Sequence, residues 1–337
     1  GKQMFAMRLA AVLLCSDPRE TDESATDGTA HREACGECTA CRLMAADTHP
    51  DYHLIHRMLG KMHDDGEVRK RKATKLSVEV IRQFVIAKAG LQPSLGRAKV
   101  FVIVEAERMS DAAQNALLKT LEEPPDRSYL ILLTPSADNL LPTTRSRCQE
   151  ISFQALPTEF IHDRLIEGHA VDAQAATFLA ELSQGSLGTA IHFLRYQLHE
   201  KLPDILKWIQ QAGHNPIGFG QFIMAEANEL GKKIENAVKT DEDDDAEDLN
   251  SARLAQGMYI AMLSTILRDV QRSAAGHPPA ALPHTQSISK IASGTHTRAI
   301  GRAIREVASA EYQMVQNANT ALIFDAIGIA VGRGLFP

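Results

Sequence analysis

Five cysteines stand at positions 15, 35, 38, 41 and 148, and the first four fall within 27 residues. The spacing Cys15-x₁₉-Cys35-x₂-Cys38-x₂-Cys41 suits a tetrahedral zinc ion, which prefers soft thiolates and takes two of them from one tight turn. Four thiolates leave no open coordination position, so the expected role is structural, with a gain in loop stability of about 10–16 kcal/mol by analogy with zinc-finger peptides. Free buried thiols are the alternative; Gly36, Glu37 and Thr39 between the sulfurs argue against it, being turn residues rather than core. His49 is a second candidate ligand, but His49-Pro50-Asp51 reads better as a turn into the following strand. Cys148 stands apart and is not assigned to the site.

A second set of residues bears on phosphate chemistry. Gly1-Lys2-Gln3 resembles the end of a phosphate-binding loop, with Lys2 opening a helix as the lysine of such a loop does. A working loop needs several glycines, a preceding strand, and a Ser or Thr hydroxyl on the magnesium. Gln3 stands in place of the hydroxyl, and the strand and most of the loop are expected to be missing. Further along, an apolar run ends in Val104-Glu105, where a magnesium-holding Asp is expected before the Glu. Val104 cannot bind a metal, which reduces Glu105 to a partly exposed carboxylate. Ser146-Arg147-Cys148 places an arginine where it can reach a neighbouring subunit; the bland reading is that Arg145 and Arg147 are exposed loop charges. The basic run 68–75 (VRKRKATK) has no interleaved aromatics and reads as a solvated loop, with phosphate contact as the alternative.

These groups need elements to hold them. Residues 4–15 suit a buried helix, and the polar insertion 16–33 reads as loose. Residues 52–55 alternate like a strand, 60–75 read as a loop, and 77–89 as a helix capped by Ser77 with Val78, Ile81, Val85 and Ala89 on one face. The block 99–148 reads strand (100–104), amphipathic helix (110–122), Pro-Pro stop, strand (129–133), with a last short strand at 149–153. Beyond Pro157 every segment reads helical: 158–168, 172–184 with Gly185 as its stop, 186–200, and longer helices ending in 297–331.

At 337 residues the chain is long enough for two or three domains. No run approaches a membrane span and nothing resembles a signal peptide. The net charge of −6 is local: the acidic run 241–248 (DEDDDAED) accounts for it, and the remainder is near neutral. Overall charge therefore says little about nucleic-acid binding.

The combination of CGECTAC, HPD, NALLKTLEEPP and SRC closely resembles the clamp-loader branch of the AAA+ superfamily, and within it the bacterial DNA polymerase III δ′ subunits. The resemblance implies an α/β plus all-α architecture: a RecA-like AAA+ P-loop domain (1–155) with a zinc module (15–50), a small helical lid (156–202) and a C-terminal helical collar (203–337). It implies zinc on Cys15, Cys35, Cys38 and Cys41, a degenerate P-loop lysine at Lys2, and Arg147 acting as an arginine finger on the ATP of a neighbouring motor subunit. The implied partners are γ/τ and δ subunits in a five-membered ring, the sliding clamp and, through the complex, primer–template DNA, in the bacterial cytoplasm and away from any membrane. Gln3, Val104 and Gly188, the last standing where the lid's GSxR arginine belongs, all point to a subunit that does not hydrolyse ATP. The alternative is an ATP-hydrolysing γ/τ-type motor.

Overall fold

A computed structural model describes residues 1–21, 31–71, 73–95, 97–239, 248–279, 285–295, 297–315 and 319–336. It divides into two compact units, Gly1–Phe153 and Gln154–Pro337.

Among its described residues the first unit has five strands: β1 (Arg19–Thr21), β2 (His31–Glu33), β3 (Tyr52–Ile55), β4 (Lys99–Ile103) and β5 (Ser128–Leu132). The last three form a parallel sheet in the order β3-β4-β5. β4 is buried along its whole length, as a central parallel strand covered on both faces must be. Its side chains alternate between two cores. Phe101 and Ile103 join Ile55, Val85 and Leu117 on one face; Val100 and Val102 meet Ala6, Ala10 and Leu14 on the other. Burying a side chain such as Phe101 contributes about 1.5–3 kcal/mol.

The helix Lys2–Leu14 supplies the second face through a narrow stripe, Ala6, Ala10 and Leu14, spaced four apart. The rest of this helix is less buried than its composition suggests: Met4, Phe5 and Met7 are exposed. The segment 78–89 is helical as expected but contains a π-turn at Arg82–Ile86, with Ser77 accepting from the Val80 N–H at 3.5 Å. Ile81, Val85 and Ala89 are buried, joined by Val80. Helix Asp111–Glu122 starts on Ser110, whose Oγ accepts from the Ala113 N–H at 3.2 Å, and stops before Pro124-Pro125.

Three expectations are corrected in this unit. The insertion 16–33 is not loose at its base: β1 and β2 pair antiparallel with Arg19 opposite Glu33, while residues 22–30 lie outside the described ones. The stretch 60–75 is partly helical, with a 3₁₀ turn at Arg57–Met62 and a short helix Gly66–Lys70 capped by Asp65, whose carboxylate takes the Glu67 N–H at 2.8 Å. Residues 149–153 form no strand: among the described residues no strand lies alongside to bond them, Ile151 is exposed, and Phe153 packs edge-on against Phe5 with centroids 5.2 Å apart.

Among the described residues the second unit's regular elements are all helices. Thr158–His169, Ala173–Leu182 (capped by Asp172) and Leu187–Arg195 (capped by Ser186) come first. Gly185, at φ +84°, makes the left-handed turn between the latter two, and a Cβ there would lie 2.4 Å from Ala155 Cβ. A 3₁₀ turn at Leu198–Lys201 leads into Leu202–Gln211, Pro216–Lys239, Asp248–Ala274, Thr285–Ala292, Thr297–Val315 and Thr320–Leu335. The single long helix expected over 297–331 is thus two, the second restarted by Asn319, whose side chain accepts from the Ala321 N–H at 3.0 Å. Ile161, Phe178, Leu202, Phe219, Met262 and Phe324 belong to one contiguous core within this unit. Helices Pro216–Lys239 and Thr320–Leu335 approach so closely that a Cβ on Gly328 would lie 2.1 Å from the Pro216 carbonyl oxygen. No helix among the described residues is long and apolar enough to cross a membrane. Of the acidic run, residues 241–247 lie outside the described ones.

Candidate functional site

The sequence separates Cys15 from the other three cysteines by a long insertion, and the β1–β2 ladder closes that gap. Cys15 follows the last turn of helix Lys2–Leu14, and Cys35 follows β2, so pairing Arg19 with Glu33 draws the two together. Cys38 is the N-cap of helix Thr39–Ala45, and Cys41 lies in its first turn. The four sulfurs lie within 4.8 Å of one another, with Cys15–Cys35 at 3.5 Å and both Cys15–Cys38 and Cys35–Cys41 at 3.9 Å. A tetrahedron of sulfurs about 2.3 Å from zinc has edges of about 3.8 Å, so the cage has the right size.

The donor chemistry agrees. The Cys35 N–H points at Cys15 Sγ (3.3 Å), the Cys38 N–H at Cys35 Sγ (3.4 Å) and the Cys41 N–H at Cys38 Sγ (3.4 Å). Burial pushes the Cys38 thiol up, yet hydrogen bonds from the Ser16 and Cys41 N–H groups and from the Cys41 and Cys35 side chains together bring it down to about 6. The N–H groups of Glu37 and Cys38 lower Cys35. Cys41 is pushed up to about 12, chiefly by burial. Four sulfurs this close cannot all be thiolates unless a cation offsets their repulsion, and a divalent ion at the centre meets that need. Cys148 and His49 lie outside the cluster. His49 is a turn residue: its Nδ1 accepts from the Asp51 N–H at 3.1 Å, and Asp51 in turn accepts from Ser94 and Leu95.

The phosphate-related residues are held quite differently. The Lys2 ammonium donates to the Thr134 carbonyl at 2.8 Å, just past the end of β5. Val104 follows the last residue of β4, where its N–H bonds the Ile55 carbonyl at 2.9 Å and its side chain offers a metal nothing. Glu105 adopts φ +53° and is bracketed by Arg57 Nε at 3.3 Å and Arg108 Nε at 3.0 Å. Gly188 is exposed with open space where a Cβ would be, so packing does not forbid a side chain at that position.

Arg147 sits at the surface just beyond the short helix Pro142–Arg145. Its Nε donates to Glu122 Oε1 at 2.5 Å and its Nη1 to the Thr143 carbonyl at 2.8 Å. Arg145 is engaged elsewhere, with Asp138 at 2.5 Å and Glu150 at 3.5 Å. Sequence reasoning missed Glu122, Thr134, Arg57 and Arg108 as partners. Only Glu122 carried a signal, its place in the Glu-Glu-Pro-Pro stop.

Fold and site together define a mixed α/β protein with a parallel sheet, a helical second unit, a four-cysteine module shaped for a metal, and a surface arginine. The sequence profile of the family described as DNA polymerase III, delta subunit, matches residues 1–157. DNA polymerase III subunit delta′ of Escherichia coli (strain K12) is 33% identical over 217 residues, 63% of this chain and 58% of that protein. Subunit delta′ of Yersinia pestis is 42% identical over 116 residues, 34% of this chain and 30% of that protein. Subunit tau of Escherichia coli (strain K12) is 33% identical over 196 residues, 57% of this chain and 26% of that protein. The aligned stretch thus spans less than two thirds of the length of each of these relatives. Over the aligned stretches the chain is similar to the delta′ subunits of DNA polymerase III.

Proposed function

We propose that this protein serves as a δ′-like subunit of a bacterial clamp loader that does not turn over ATP itself, helping to load the sliding clamp on primed DNA in the cytoplasm. It would occupy a fixed place in a ring with γ/τ and δ subunits. In this reading residues 156–202 act as the lid and 203–337 as the collar. Cys15, Cys35, Cys38 and Cys41 hold a structural zinc, which fixes the loop between the first helix and β3. Arg147 reaches the γ-phosphate of a neighbour's ATP, where a guanidinium stabilises charge on the transferring phosphoryl group.

The observation that carries this reading is a contrast. Val104 has no carboxylate for magnesium and Gln3 no hydroxyl for it, whereas Arg147 keeps its guanidinium at the surface, held there by Glu122 and the Thr143 carbonyl. Hydrolysis in cis lacks its parts, and the group useful in trans is kept. The test is reconstitution: the protein should co-purify with γ/τ and δ subunits as a stable ring and hydrolyse no ATP alone. Magnesium-dependent ATP turnover by the purified chain would instead establish the motor reading.

A further inference from the structure

Arg147 does not have its donors free. Its Nε and Nη2 both engage Glu122 Oε1, and its Nη1 donates to the Thr143 carbonyl at 2.8 Å and to Ser146 Oγ at 3.3 Å. A guanidinium has five N–H donors, and gripping a phosphate as a fork takes two of them in parallel. Four are spent within the chain. Arg147 must therefore release Glu122 before it can present a fork to an anion.

Both ends of this contact are fixed from below. Glu122 is the last residue of helix Asp111–Glu122, and Arg147 follows helix Pro142–Arg145. The buried Gln114 ties them: its Oε1 accepts from the Leu141 N–H at 2.9 Å, and Thr144 is fully buried between Leu141 and Arg147. The pairing of Glu122 with Arg147 is thus set by backbone placement rather than by a chance meeting of two long side chains. Both side chains are also partly open to solvent, so the contact shifts an equilibrium by only about two- to fivefold. That is strong enough to hold the arginine and weak enough for a phosphate to displace.

We propose that Glu122 is a gate on Arg147, a positioning residue that occupies the guanidinium until a neighbour's nucleotide phosphate replaces it. This rests on the reading of Arg147 as a group acting in trans. The carboxylate and the phosphate are rivals for the same donors, so Glu122 should restrain turnover when the interface is loosely formed and matter little once it is tight.

The experiment uses the reconstituted loader with wild-type protein, Glu122→Gln, Glu122→Asp, Arg147→Ala and the double variant Glu122→Gln/Arg147→Ala. ATP turnover is measured with and without primed DNA and clamp, and folding is checked by thermal melting. Glu122→Gln should raise DNA-independent turnover about two- to fivefold while leaving DNA-stimulated turnover within error. Glu122→Asp, which keeps the charge on a shorter arm, should fall between it and wild type. In the Arg147→Ala background the Glu122→Gln effect should vanish. Turnover unchanged or lowered by Glu122→Gln, or raised equally in the Arg147→Ala background, overturns the gate. Arg147→Ala matching wild type under all conditions overturns instead the trans role on which the gate rests.

Discussion

Lys2 Nζ donates to the carbonyl oxygen of Thr134 at 2.8 Å, joining residues 132 positions apart. The bond ties the first turn of helix Lys2–Leu14 to the chain just past β5. A lysine free to meet a nucleotide would stand over a phosphate; this one serves a backbone acceptor. Replacing Lys2 with Ala should therefore leave the ATP turnover of a reconstituted loader within about twofold of wild type. Its cost should appear in thermal melting, at about 1 kcal/mol for a lost, partly exposed hydrogen bond. A collapse of turnover with normal ring assembly would assign Lys2 to a nucleotide.

Arg147→Ala tests the opposite claim. Trans-acting arginines contribute about 10³–10⁵-fold at the site they serve. Turnover at the neighbouring site should be all but lost, while the ring still assembles. Single-turnover measurement on a loader with one hydrolysis-competent site reads this directly.

The cysteine cage predicts one zinc per chain. Metal analysis should find it in wild type and in Cys148→Ser, because Cys148 stands outside the cluster. Cys35→Ser or Cys38→Ser should lower metal content and melting temperature together. Metal retained in full by both variants would remove the assignment.

A pH dependence follows from His53. Its ring stacks on Phe101, with centroids 4.7 Å apart. Burial, helped by the nearby charge of Lys88, lowers it to about 4 from the usual 6.5. Between those values the unfolded chain takes up a proton that the folded chain refuses, so stability falls as pH drops through this window and is fully present above 6.5. The melting temperature of His53→Phe should fall less between pH 7 and pH 4 than that of wild type. Parallel pH profiles for the two proteins would contradict this.

Gly328→Val tests the close helix contact in the second unit. A side chain there would run into the Pro216 carbonyl, 2.1 Å from the Cβ position, and the backbone cannot yield as a flexible side chain would. Overpacking of this kind costs about 1–3 kcal/mol or more. Denaturant melts should show the loss, and an unchanged midpoint would mean that the two helices can separate without penalty.

Much of the first unit was legible because its signals are local. The apolar run at β4, the Ser77 cap and the Pro-Pro stop each act through neighbours a few residues away, and each marks its element within a residue or two. The failures share a cause. Residues 149–153 have the apolar alternation of a strand, but a strand exists only when another backbone lies beside it. The base of the 16–33 insertion looked featureless for the converse reason, since its order comes from the pairing of β1 with β2.

The candidate site divides along the same line. Arg147 stood out from Arg145 only through the resemblance to clamp-loader subunits, whereas residue type and spacing alone determined that Cys15, Cys35, Cys38 and Cys41 are suited to one metal and that Val104 cannot hold magnesium. Those are statements about what a side chain is chemically able to do, and they hold in any fold. Only the tertiary structure decided which of these groups are engaged. It placed Cys15 Sγ 3.5 Å from Cys35 Sγ, gave Lys2 to Thr134, and set Glu122 against Arg147. Each of those outcomes depends on a distance between residues far apart in the chain, and such distances are fixed by packing, which no local pattern encodes.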